Sequence, residues 1–183
     1  MREMREYGLD EWRIVEDGFN PEKNFQNETI FSTANGFIGF RGTFEEGLEN
    51  RGDLGAEGVY LNGVYEEGII KYGEIAFGFP EKSQIMIKAA NGKKITLYLE
   101  DEVFSMLRGK LLDYQRLLDM KEGILKRSLI WQSPKGRQVK IEVERMVCLQ
   151  RKNSAVIRYQ VTPLNFEGNI KIISEIDGNS RYS

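Results

Sequence analysis

Three adjacent carboxylate pairs, Glu45-Glu46, Glu66-Glu67 and Asp101-Glu102, carry the most obvious capacity for chemistry in this chain of 183 residues. Two carboxyl groups in unlike surroundings can divide into an acid of raised pKa and a partner that stays ionised, the arrangement that hydrolyses glycosidic bonds. Each pair is flanked by Gly47, Gly68 or a turn, however, and such positions favour solvated loop charges. Histidine is absent, which removes the commonest general acid/base and the commonest metal ligand. Chemistry would rest on carboxylates, Lys or Tyr, and no metal or cofactor is expected. The single cysteine, Cys148, falls in the alternating run 143–149 and reads as a small apolar core residue; alone, it forms no internal disulfide.

A different constellation lies between Asn27 and Glu46. Asn35-Gly36 offers a positive-φ pair for a tight reversal, and Phe37-Ile38-Gly39-Phe40-Arg41-Gly42 follows as a short aromatic strand. Gly39 and Gly42 imply that another backbone or ring approaches closely. Arg41 is expected to form an ion pair within the domain, with Glu28 or Glu45; its alternative is a role at a domain interface or active-site rim, where Asn35 and Glu28 are the companion candidates. The spacing of Gly36, Gly39 and Gly42 fits neither the dinucleotide nor the P-loop pattern. Among the aromatics Trp12, Trp131, Tyr60, Tyr65 and Tyr72, those at Tyr60, Tyr65 and Trp131 are candidates for stacking on sugar rings, against the plainer reading of core packing.

The elements that must position these residues read as strands. A hydrophobic fraction of 40%, a charged fraction of 30% and a net charge of -2 indicate one globular domain with no basic stripe for nucleic acid. No apolar run reaches the ~18 residues of a membrane span, and the first 13 residues lack a signal-like apolar core, so a cytoplasmic location is expected. A strand over 12–16 ends before Pro21, and a helical turn from about Asn24 would put Phe25, Ile30 and Phe31 on one side. The glycine-rich stretch 42–78 reads as a long excursion with short strands at 58–61 and near 69–70. Residues 84–89 and 94–100 then alternate on either side of Asn91-Gly92 and predict a hairpin. Strands over 110–120, 123–132, 138–149, 154–162 and 170–176 complete an all-β antiparallel sandwich whose last strand leaves an open edge.

In this order along the chain, Asn27-Glu28, Phe31-Ser32, Asn35 to Gly42, Gly58 to Tyr65, Leu118 to Leu125, Trp131 to Gly136 and Ile176 to Gly178 resemble the N-terminal region of glycoside hydrolase family 65, the kojibiose, maltose and trehalose phosphorylases. The resemblance covers nearly the whole chain. It implies an N-terminal β-sandwich of the galactose-mutarotase-like supersandwich type over residues 1–183, truncated at its C-terminal end. Family members carry a separate catalytic (α/α)6 barrel, absent from this chain, and are expected to form homodimers. They cleave an α-linked glucosyl disaccharide with inorganic phosphate as co-substrate, inverting the anomeric centre. One glutamate of the barrel acts as acid, and phosphate replaces the activated water. The chain alone is therefore expected to be inactive, with carbohydrate contact a possibility of its own. Two other classes compete: a stand-alone carbohydrate-binding module, and a mutarotase-like epimerase, which the missing histidine disfavours.

Overall fold

The computed structural model describes residues 10–48 and 58–178. Its elements are β1 (Arg13–Asp17), a 3-10 turn (Pro21–Lys23), α1 (Asn24–Ile30), β2 (Thr33–Ala34), β3 (Ile38–Phe40), β4 (Val59–Ile69), β5 (Lys82–Lys88), β6 (Asn91–Leu99), β7 (Glu102–Val103), β8 (Lys110–Asp119), β9 (Ile124–Gln132), β10 (Gln138–Val147), β11 (Ala155–Pro163) and β12 (Ile170–Asp177). They form three antiparallel sheets, ordered β1-β8-β9-β10-β11, β12-β6-β7 and β2-β3-β4-β5. The expected antiparallel sandwich is the architecture observed.

The main core lies between the five-stranded and three-stranded sheets. Strict alternation sends Leu129 and Trp131 of β9 and Val139, Ile141 and Val143 of β10 inward, where they meet Leu97 and Leu99 of β6. Phe104 crosses Trp131 edge to face at 5.2 Å. A smaller cluster of Ile38, Phe40 and Val59 with Val147 ties the four-stranded sheet to β10. The expected antiparallel meander from β8 to β11 is present, with one register shift between Leu111 and Asp113 of β8, and β12 is an edge strand as anticipated.

Three expectations are corrected. Strands β5 and β6 do not pair: β5 joins β4, whereas β6 joins β12 and β7. The segment at Asn91-Gly92 carries the chain from one sheet to another, because inward-facing Ile95, Leu97 and Leu99 bind β6 to the core while Ile85 and Met86 of β5 stay exposed. In the glycine-rich stretch 42–78, of which residues 49–57 lie outside the described residues, the two short strands expected at 58–61 and near 69–70 are joined into one. Val59–Ile69 is one long strand, in which three extra residues between Tyr60 and Tyr65 are absorbed opposite Met86 to Lys88, with Gly63 at a φ of 89°. Finally, α1 turns its polar side inward: Asn24, Asn27 and Glu28 are buried, and Phe25 is exposed.

Candidate functional site

The inward face of the five-stranded sheet changes from apolar to cationic along its length. Arg116 of β8, Arg127 of β9 and Arg145 of β10 occupy positions in phase with buried Tyr114, Leu129 and Val143, and all three are themselves buried. Arg116 lies directly opposite Arg127 across the strand pair. Three like charges so placed need compensation, and the segment from Arg41 to Glu46 supplies it. Arg127 reaches Glu46 at 2.6 Å and Glu45 at 3.0 Å, and Arg145 reaches Glu45 at 2.9 Å. Arg116 pairs with Glu16 of β1 at 2.7 Å, and Tyr114 donates its hydroxyl to the same carboxylate.

Backbone carbonyls complete the clamp. Arg116 donates to the Gly42 oxygen at 2.8 Å, and Arg145 to the oxygens of Thr43 at 3.0 Å and Arg41 at 3.2 Å. The guanidinium carbon of Arg116 lies 4.3 Å from the centre of the Phe31 ring, and that of Arg127 lies 4.6 Å from the Phe44 ring. Burial raises the pKa of Glu45, but the charges of Arg145 and Arg127 outweigh it and hold the carboxyl below its usual range. The space left among these groups is about 10 Å³, too small for any substrate or phosphate ion.

Glu45-Glu46 is thus a buried structural pair, not the solvated one expected. Glu102 departs from expectation in the same way: it is buried and accepts from Ser133 Oγ at 2.8 Å, the Lys135 amide at 2.9 Å and Arg137. Glu67 does match, lying exposed and paired with Lys82 at 2.9 Å. The sign of the buried cluster was present in the chain as an arginine in apolar phase on three strands, Tyr114-x-Arg116-x-Leu118, Leu125-x-Arg127-x-Leu129 and Val143-x-Arg145-x-Val147. Sequence reasoning, attentive to the alternating aliphatics, passed over it.

Two of the remaining candidates meet at an open groove of about 480 Å³ between α1 and the four-stranded sheet. Arg41 and Tyr60 line it, with Thr29, Phe37, Asn62 and Met86. Arg41 donates to Thr29 Oγ1 at 3.0 Å and lies 5.8 Å from the Phe25 ring centre; it pairs with neither Glu28 nor Glu45. Its buried Nε finds no hydrogen-bond acceptor. Asn35 does not line the groove, and its side chain is fully engaged. Its oxygen accepts from the Phe37 and Ile38 amides at 3.0 and 2.8 Å, and its amide donates to the Cys148 and Lys152 carbonyls at 2.7 and 3.0 Å. Only Gly36 of the Asn35-Gly36 pair takes positive φ. Glu28 is buried, does not line the groove, and accepts from Asn24 at 2.9 Å.

The aromatic candidates are not on one face. Trp131 is fully buried and donates its indole N–H to the Arg108 carbonyl at 2.6 Å, so it offers no ring face to a sugar. Tyr65 is exposed on β4, with its hydroxyl donated to Asn62 at 2.7 Å, and Tyr72 packs on Phe79 at 5.0 Å. Among the described residues no group of three His, Cys, Asp or Glu side chains is placed to hold a metal ion, and no helix is long and apolar enough to cross a membrane.

Fold and site together define an antiparallel β-sandwich domain built around an arginine-clamped loop. A sequence model described as glycosyl hydrolase family 65, N-terminal domain, matches residues 14–183, and the chain belongs to that family. It is 43% identical over 173 residues to the alpha,alpha-trehalose phosphorylase of Thermoanaerobacter brockii, a match covering 94% of this chain and 22% of the relative. It is 34% identical over 179 residues to the maltose phosphorylase of Bacillus subtilis, covering 98% and 23%. Among solved structures, a putative kojibiose phosphorylase from human microbiome superposes with a TM-score of 0.84 at 27% identity, over 96% of this chain and 23% of that one. The chain thus spans about a fifth of the length of these relatives.

Proposed function

We propose that this chain is the non-catalytic N-terminal domain of an inverting disaccharide phosphorylase. It acts as scaffold and interface for a catalytic (α/α)6 barrel, which converts trehalose, kojibiose or maltose and inorganic phosphate into glucose 1-phosphate and glucose. The observation that carries this reading is the match of nearly the whole chain to a family N-terminal domain, at about a fifth of the relatives' length. The geometry agrees with it: the buried carboxylates Glu16 and Glu45 are spent on the arginines that hold the loop from Arg41 to Glu46. In this role the domain needs no metal or cofactor, and it works in the cytoplasm, within a homodimer.

The test is an assay of the isolated chain with each disaccharide and phosphate. No glucose 1-phosphate is expected, and measured turnover would contradict the reading. The groove beside Arg41, Tyr60 and Asn62 gives a second reading, that of a carbohydrate-binding module, a definite location. Titration with maltose, trehalose, kojibiose and glucose separates the two, since millimolar or tighter binding would favour the module.

A further inference from the structure

Strands β4 and β5 leave the body of the domain as a two-stranded ribbon. Near the body β4 is flanked by both β3 and β5, but from Tyr65 to Ile69 its partner is β5 alone, in the register Tyr65 opposite Met86 to Ile69 opposite Lys82. The ribbon closes through the hydrogen bond from the Ile70 amide to the Glu81 carbonyl, and the tip is ordered by Tyr72, which packs on Phe79 and donates to the Pro80 carbonyl at 3.0 Å. Two-stranded ribbons are marginal by themselves.

Its surface is unlike that of the rest of the domain. Phe77 is fully exposed, Ile75 is 87% exposed and Ile69 81%, with Phe79, Tyr65, Met86 and Ile85 also open to solvent. Leu149, Ile176 and Val156 are exposed elsewhere, but nowhere else among the described residues do so many large apolar side chains follow one another on one projecting element. An apolar patch of this kind marks an interaction surface.

We infer that the β4–β5 ribbon, through Phe77, Ile75 and Ile69, is the arm by which this domain docks on the polypeptide that follows it in the full-length enzyme. The inference rests on the domain reading above and adds the surface that does the docking. Two observations choose this occupant over a second copy of the chain. The relatives carry about four-fifths of their length outside the matched region, whose family model is that of an N-terminal domain. In addition, β12 runs antiparallel to β6 so that Asp177 lies opposite Asn91, three residues beyond the end of β5 at Lys88. A polypeptide continuing from β12 emerges at the root of the ribbon. The arm is acidic around its apolar centre: Glu67 is paired with Lys82, while Glu66, Glu74 and Glu81 outnumber Lys71. The docking face should therefore be apolar with a basic rim.

The test uses a full-length chimera in which this chain replaces the matching region of the trehalose phosphorylase relative. Phe77 is replaced by photo-reactive p-benzoylphenylalanine, and the irradiated protein is run on a denaturing gel and mapped by mass spectrometry. The expected result is a cross-link at the mass of one chain, between position 77 and the downstream polypeptide. A cross-link at twice that mass, or none, would overturn the inference. In parallel, Ile75→Ser with Phe77→Ser should lower the rate of glucose 1-phosphate release or the concentration of urea tolerated, with a loss of at least about tenfold in the population of the docked state. Phe77→Leu should restore most of it. A double-serine variant indistinguishable from the parent chimera sinks the arm but leaves the domain reading standing. Failure of the unsubstituted chimera to fold and turn over trehalose counts against the domain reading itself, and against the arm with it.

Discussion

At the scale of single residues, the clearest lesson is that charge here builds structure. Asn35 makes four hydrogen bonds that join the turn between β2 and β3 to the turn between β10 and β11. Asn35→Ala should cost on the order of 2 kcal/mol, read as a shift in the urea midpoint at unchanged m-value. Glu45 gives a prediction in pH. Its folded-state pKa lies below the ordinary value of 4.5, so the folded protein binds that proton more weakly than the unfolded chain. Its contribution is complete above the ordinary value and is lost as pH falls through the lower folded value. Acid titration of unfolding should show stability declining below about pH 4.5. Glu45→Gln should be less stable at neutral pH, by about 3 to 5 kcal/mol for a broken buried pair, and less sensitive to acid. Glu102, whose pKa is also held down, keeps the acid limb from vanishing. An unchanged acid limb in Glu45→Gln would refute the assignment. The arginines that make Glu45 structural were readable as charges in apolar phase. What composition could not show is that β1, β8 and the 41–46 segment converge, since those contacts join residues 74 to 100 positions apart.

At the scale of elements, the meander from β8 to β11 was legible because β9 and β10 alternate cleanly and the connections carry turn residues, as at Ser133-Pro134-Lys135-Gly136. The false hairpin around Asn91 shows the limit of that logic. Alternation tells which face of a strand is buried but not which neighbour pairs with it, and an Asn-Gly step serves equally where the chain changes sheets. Glycine in the opening stretch divides the same way. A Cβ on Gly42 would lie 2.8 to 2.9 Å from Phe31, including its backbone, whereas one on Gly39 would meet only Ala34 Cβ at 3.8 Å. Gly42→Ala should therefore destabilise by about 1 to 3 kcal/mol, while Gly39→Ala should stay within about 1 kcal/mol of the parent. Thermal unfolding of the two variants side by side checks this, and equal effects would contradict the packing described.

At the scale of the whole molecule, the chain is a sandwich domain of glycosyl hydrolase family 65 that spans about a fifth of its relatives. Its buried charges hold its own loop, and its exposed apolar ribbon faces outward. The family was legible because several separate motifs fall in order along the chain. The ribbon was not, because Gly63 and Gly68 broke the alternation that would have revealed β4 as one strand. The central claim is that this domain supports catalysis performed elsewhere. It is tested most directly by measuring glucose 1-phosphate release from trehalose and phosphate, for the isolated chain and for the chimera carrying the relative's downstream polypeptide. No turnover by the chain alone and turnover by the chimera are predicted; turnover by the chain alone would contradict the account.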